Sequence, residues 1–211
     1  MLFRSATPSR TRSRRIGGFS MVELAVSLTV LLILTAIAIP SLMRSFRTYQ
    51  LNDAASRFSD MLKFTRFEAV RRNTQINCQF KQFGIDWTIW TTPNGNTNPL
   101  PTEKQLFMTG FATPLPAGGA PGPPSPGAIA TALGVSVAAL NANTLSGSNG
   151  TVTFDARGAI RVGGNISSNI FVFYFGGAND PEFGYRAVIL LPAGGTQIWT
   201  APQGGPWQRI S

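Results

Sequence analysis

Histidine is absent from this 211-residue sequence, and cysteine occurs once, as Cys78. A His/Cys zinc site, a Ser-His pair and a Cys-His pair are therefore excluded at the outset. An internal disulfide is excluded too, and that says little about compartment, since an extracytoplasmic domain need not contain one. Acidic residues are scarce: 9 Asp and Glu stand against 18 Lys and Arg, and charged residues of both signs make up only 13% of the chain. No two carboxylates are spaced as a general acid and base, so an enzyme is not expected. Gly194-Gly195 follows a predicted strand without opening a helix, which leaves phosphate cradling unsupported. No cofactor or metal is implied. Asp155, Asp180 and Glu182 lie in turn contexts, where a short acid commonly bonds its own backbone, and that reading outweighs a calcium site at Asp180-Pro181-Glu182.

The net charge of +9 would suggest a nucleic-acid partner if it lay on the folded domain. It does not. Arg4, Arg10, Arg12, Arg14 and Arg15 all precede Gly18, with no acid among them. From Thr74 onward, Lys81, Lys104, Arg157, Arg161, Arg186 and Arg209 face five carboxylates, so that part is nearly neutral.

What the chain does have is a long apolar run. Residues 19–39 carry one charge, Glu23. At 1.5 Å per residue this stretch spans about 30 Å, the thickness of a hydrocarbon core. The arginines ahead of it, against only Arg44 and Arg47 just behind, predict a cytoplasmic N-terminus. Three uses of the run compete: a plain signal anchor, a signal peptide cleaved after Ala36-Ile37-Ala38, and an anchor retained after removal of a leader at Gly18. Helical periodicity continues past Pro40, which favours retention. Pro40 itself removes a backbone donor and predicts a kink or local loosening.

Beyond Pro40 the helix turns amphipathic: Leu51, Ala55, Phe58, Leu62, Thr65 and Ala69 recur at three- and four-residue steps, a stripe that predicts packing on a following domain. After Asn73 the pattern shifts to alternation. Strands are predicted at 76–81, 85–92, 103–111, 151–154, 159–162, 169–175, 185–191 and 196–200, separated by Gly, Asn and Pro turns. Cys78 falls on the inward face of the first, and Phe171, Phe173, Tyr174 and Phe175 crowd one strand as core residues rather than as a base-stacking platform. Residues 112–150 differ in composition, with Pro114, Pro116, Pro121, Pro123, Pro124 and Pro126 among glycines and alanines. They predict a surface excursion that buries little, with at most a short helix within 128–140. The fold class expected is α+β: one long N-terminal helix, transmembrane in its first half, packed against antiparallel sheets. Its parts are a leader (1–18), a membrane and assembly helix (19–40), an amphipathic continuation (41–73) and a β-rich domain (74–211).

Gly18-Phe19-Ser20-Met21-Val22-Glu23-Leu24, with the apolar run ending Ala36-Ile37-Ala38-Ile39-Pro40, closely resembles the class III leader of type IV pilins and type II secretion pseudopilins. Ser20 and Met21 stand where threonine and leucine are commoner. Arg57-Phe58, then Phe67-Glu68-Ala69-Val70-Arg71-Arg72-Asn73 to Ile76-Asn77-Cys78, together with Val152-Thr153-Phe154-Asp155-Ala156-Arg157-Gly158 and residues 185–198, resemble GspH/FimT-type minor pseudopilins, so a pilin-like fold is implied. The resemblance implies that a prepilin peptidase cuts between Gly18 and Phe19 and methylates the new amino terminus at Phe19. It implies other pilins or pseudopilins and the inner membrane as partners, and a domain that is periplasmic until it enters a filament. Some members bind DNA through a Gly-Arg-x-Arg turn in the closing hairpin. This sequence has Gly194-Gly195-Thr196-Gln197 there, so nucleic acid is not expected, and a DNA-uptake pilin stays as an alternative, beside an unrelated anchored or exported β-domain. Glu23, fifth residue after the cut, is expected to pair with the Phe19 amino group of a neighbouring subunit, because a carboxylate in lipid or in a filament core needs a counter-charge.

Overall fold

The computed structural model describes residues 18–115, 122–144, 147–177 and 180–210. The expected leader lies outside these residues except for Gly18. The chain divides into two compact units, Met1–Leu42 and Met43–Ser211. In the first, everything described after Ser20 is helix, and it belongs to α1 (Met21–Arg72). An 18-residue window of this helix reaches a mean hydropathy of 2.5 with none of it buried, so by length and composition it can cross a membrane.

In the second unit, α1 contributes its amphipathic stretch. Leu51, Ala55, Phe58, Leu62, Thr65 and Ala69 are all buried, as the periodicity requires, and Ala54, Met61 and Glu68 widen the stripe. The helix ends in a Schellman arrangement: Asn73 takes φ +49°, the Asn73 N–H donates to Val70 O and the Thr74 N–H to Ala69 O. Asparagine is the residue after glycine best suited to that left-handed position.

Two antiparallel sheets follow. The first has the order β3-β2-β1-β5-β6-β7, from β1 (Ile76–Phe83), β2 (Asp86–Thr92), β3 (Gln105–Met108), β5 (Asn149–Phe154), β6 (Ile160–Val162) and β7 (Asn165–Ile166). The second has the order β11-β10-β9-β8-β4, from β4 (Thr113–Leu115), β8 (Phe171–Gly176), β9 (Tyr185–Leu190), β10 (Thr196–Ala201) and β11 (Gln208–Arg209). The α1 stripe, the Ile76, Cys78, Phe80, Trp87, Ile89, Val152 and Phe154 face of the first sheet and the Phe173, Phe175, Val188 and Leu190 face of the second form one core. Phe58 sits at its centre, with ring centroids 4.9 Å from Phe173, 5.2 Å from Phe175 and 6.2 Å from Phe80. The expected α+β class, with a helix packed on antiparallel sheets, is what the chain adopts.

Residues 112–150 depart from expectation. They hold β4 and two short helices, α2 (Gly127–Leu133) and α3 (Val137–Asn141), and they bury Leu115, Ile129, Ala130 and Leu140. The reason is the second sheet, whose outer face is as apolar as its inner one. Val172, Tyr174, Tyr185, Ala187, Ile189 and Trp199 point away from α1 and need a cover, which α2 and α3 supply as a second core. Residues 116–121 and 145–146 of the stretch lie outside the described residues. Capping fixes the two helices: Gly134 takes φ +66° at the end of α2, and the Ser136 hydroxyl accepts from Ala139 N–H at the start of α3.

Candidate assembly site

The chemistry of the first unit starts at the helix N-terminus. Ser20 immediately precedes α1, and its Oγ accepts a hydrogen bond from the Glu23 N–H at 3.1 Å. Ser20 and Glu23 thus occupy the N-cap and N3 positions of a Ser-x-x-Glu box, in which a carboxylate also faces the positive end of the helix dipole. The cap role of Ser20 is not among the sequence expectations, although the spacing alone displays it. Gly18, Phe19 and Glu23 are all exposed, Phe19 with 78% of its surface open.

Further along the span, two threonine hydroxyls are satisfied locally. Thr29 Oγ1 donates to Ala25 O at 2.8 Å, and Thr35 Oγ1 lies 2.9 Å from both Leu31 O and Leu32 O. Such back-bonding lets a hydroxyl enter lipid without an orphaned donor. Pro40 lies inside α1, where it cannot donate to the carbonyl of Ala36. Among the residues of the span, Glu23 is left as the one ionisable side chain, so whatever binds this helix tightly has that carboxylate to address.

In the second unit the charged residues are mostly engaged at home. Glu68 is buried and accepts from Arg71 Nε and Nη2 at 2.9 and 2.8 Å and from Arg72 Nε at 2.7 Å. The Arg71 bond is the strongest influence and, with Arg72, outweighs burial to hold the Glu68 carboxyl below its ordinary range. Glu68 and Arg72 line a cleft of about 430 Å³ with Phe64, Ile76, Thr91 and Lys104, so the cleft's buried acid is already spent. Asp155 accepts from the Arg157 and Ala159 N–H groups, each at 2.9 Å. Burial alone would raise its carboxyl, but those two bonds and the charges of Arg161 and Arg157 bring it below the usual value. Asp180 precedes a 3-10 turn, Pro181–Phe183, and Glu182 lies within it; both are exposed. Among the described residues no three His, Cys, Asp or Glu side chains are grouped to hold a metal.

Cys78 is fully buried, and burial pushes its thiol up to about 12. The closing hairpin turns between β9 and β10 through a Leu191 N–H to Gly195 O bond of 2.8 Å and a Gly194 N–H to Leu191 O bond of 2.7 Å. No arginine side chain leaves this turn itself. Arg66 of α1 lies against it instead: a Cβ on Gly194 would meet Arg66 Cδ at 2.7 Å and Gly158 O at 2.4 Å. The Arg66 Nε donates to that same Gly158 carbonyl at 3.1 Å.

A family model, Type II transport protein GspH, matches residues 54–194. The chain belongs to the GspH family. That match spans the end of α1 and most of the β-rich unit, and it does not reach the N-terminal segment. Two solved structures, both of the Pseudomonas aeruginosa (strain PAO1) type IV minor pilin FimU in different crystal forms, are similar at 17% identity. One covers 77% of this chain and 94% of its own with a TM-score of 0.43, the other 76% and 98% with 0.40. No curated protein matches the sequence.

Proposed function

We propose that this GspH-family chain is a minor pseudopilin, a structural subunit of a type II secretion pseudopilus or a type IV pilus. The observation that carries this is α1 itself: one helix, apolar and exposed through residues 21–39, then carrying the buried stripe of the domain matched by the family. Such an element can be stored in a bilayer and later buried among like helices, since either setting covers the same apolar surface. The β-rich unit is then periplasmic and the N-terminus cytoplasmic, following the arginines at 4–15.

A prepilin peptidase cuts the exposed Gly18-Phe19 bond and methylates Phe19. Glu23 pairs with the amino group of Phe19 on a neighbouring subunit and sets the axial register between them, while Pro40 loosens the helix where it leaves the span. The arginine-free turn at Gly194-Gly195 supports filament structure over DNA capture.

Intact mass after co-expression with a prepilin peptidase tests the processing step. Loss of residues 1–18 is expected; loss through Ala38 would identify a signal peptide and end the pseudopilin reading. Glu23→Gln is expected to abolish incorporation into the filament, and unchanged incorporation refutes the pairing. A salt-sensitive gel shift with the full chain would move the function to DNA uptake.

A further inference from the structure

Arg186, on the central strand β9, is buried with 6% of its surface exposed. It belongs to the face of the second sheet that looks onto α1, directly opposite Phe175 on β8 and Thr200 on β10. Its neighbours along that face of β9, Val188 and Leu190, are apolar members of the main core.

Among the described residues the guanidinium has only neutral partners. Its Nε donates to Asn52 Oδ1 at 2.6 Å and its Nη1 to the Tyr185 carbonyl at 2.9 Å. All nine acidic side chains of the chain lie among the described residues, and none pairs with it. Asp53 is taken by Arg57, Asp60 by Lys63, Glu68 by Arg71 and Arg72, and Asp155 by Arg161. Burial accounts for the lowered proton affinity of Arg186, and among the described residues no carboxylate offsets it.

A buried arginine without a counter-ion is costly, and an apolar residue at this site would serve the fold better. A guanidinium also carries five N–H donors, of which two are used here. Asn52, whose Oδ1 accepts from it on α1, is itself exposed, so the guanidinium's helix-side partner is open to a neighbour. From this we propose that Arg186, braced by Asn52, is the receptor for an aspartate or glutamate carboxylate presented by a neighbouring pilin subunit. The inference rests on the pseudopilin reading and names one of its assembly contacts. The pair forms by two parallel N–H to oxygen bonds, strong and directional because both groups are charged and the site is nearly dry. A single cation set into an apolar face suits one carboxylate, whereas a phosphate backbone or lipid surface is met by several exposed cations together.

The test uses the full chain, co-expressed in membranes with each other pilin of its own system in turn and isolated in detergent. Arg186→Met is expected to reduce recovery of one such pilin at least tenfold, with an unchanged or higher melting temperature for the chain alone. Arg186→Lys, which keeps the charge but loses the fork, is expected to give an intermediate loss. Arg186→Glu is expected to regain binding when the partner's acid is exchanged for arginine. Unchanged recovery of every pilin with Arg186→Met overturns the proposal. So does a fall in the melting temperature of the chain alone, which would assign the arginine to its own fold. A DNA gel shift abolished by Arg186→Met would overturn it in favour of a phosphate site. Wild-type chain that recovers no pilin at all rejects the pseudopilin reading itself.

Discussion

Thr65 on α1 and Thr91 on β2 hold their hydroxyl oxygens 2.7 Å apart, a buried polar pair in the seam between the helix and the six-stranded sheet. Thr65 Oγ1 also lies 2.9 Å from Met61 O, and Thr91 Oγ1 3.5 Å from Met61 Sδ. Removing the Thr65 hydroxyl leaves that of Thr91 with only the weak Met61 Sδ contact. Thr65→Val is therefore expected to cost about 1–3 kcal/mol. The double variant Thr65→Val, Thr91→Val should cost less than the two single ones together, by about 0.5 kcal/mol or more. Denaturant unfolding of the full chain in detergent measures all three, and strict additivity would contradict the coupling.

The Asp155 carboxyl titrates below its unfolded value, so its contribution is complete above about pH 4 and is lost as pH falls through the folded value. Asp155→Ala should cost about 1–3 kcal/mol near pH 7. The gap between wild type and variant should narrow in melts recorded near pH 3. Asp155→Asn keeps an acceptor for the Arg157 and Ala159 N–H groups and should fall between the two.

Cys78 should resist a maleimide at pH 8 for as long as the chain stays folded, since its thiol is sealed and pushed up to about 12. Adding denaturant should release one equivalent of thiol. Modification of the native chain at the rate of a free cysteine would show that the seam opens.

Leu140 on α3 is fully buried against the outer core. Leu140→Ala should lower stability by about 2–5 kcal/mol, whereas an unpacked surface loop would register almost nothing.

The helix and most strands were legible because α1 offers six consecutive stripe positions and β1 three clean alternations, enough for a period to stand out. Residues 112–150 were not, for reasons that can be named. Helices of seven and five residues are too short to display a period, and Pro114 argued against a strand. It is tolerated because β4 is the edge of its sheet, where a missing donor faces outward. Two-residue strands such as β7 and β11 carry no pattern at all. Of the candidate site, Glu23 stood out as the lone charge in an apolar run, whereas the Ser20 cap, although its capping-box spacing is in the sequence, was overshadowed by that run. Arg186 was not legible. In sequence it is one cation of six in a nearly neutral domain, and only the register of β9 against β8 and β10 turns it inward.

One bond links distant parts of the second unit: Trp207 Nε1 donates to Pro124 O at 3.0 Å, with the indole 5.6 Å from the Tyr174 ring. Trp207 lies just ahead of β11 and is buried. A chain synthesised from its N-terminus can close the α1 core only once Leu190 has emerged, and the outer core gains its Trp207 contact later still. The segment around Trp207 therefore acts as a latch on the stretch that carries α2 and α3, and a nascent chain that has not yet reached it holds that cover by fewer contacts.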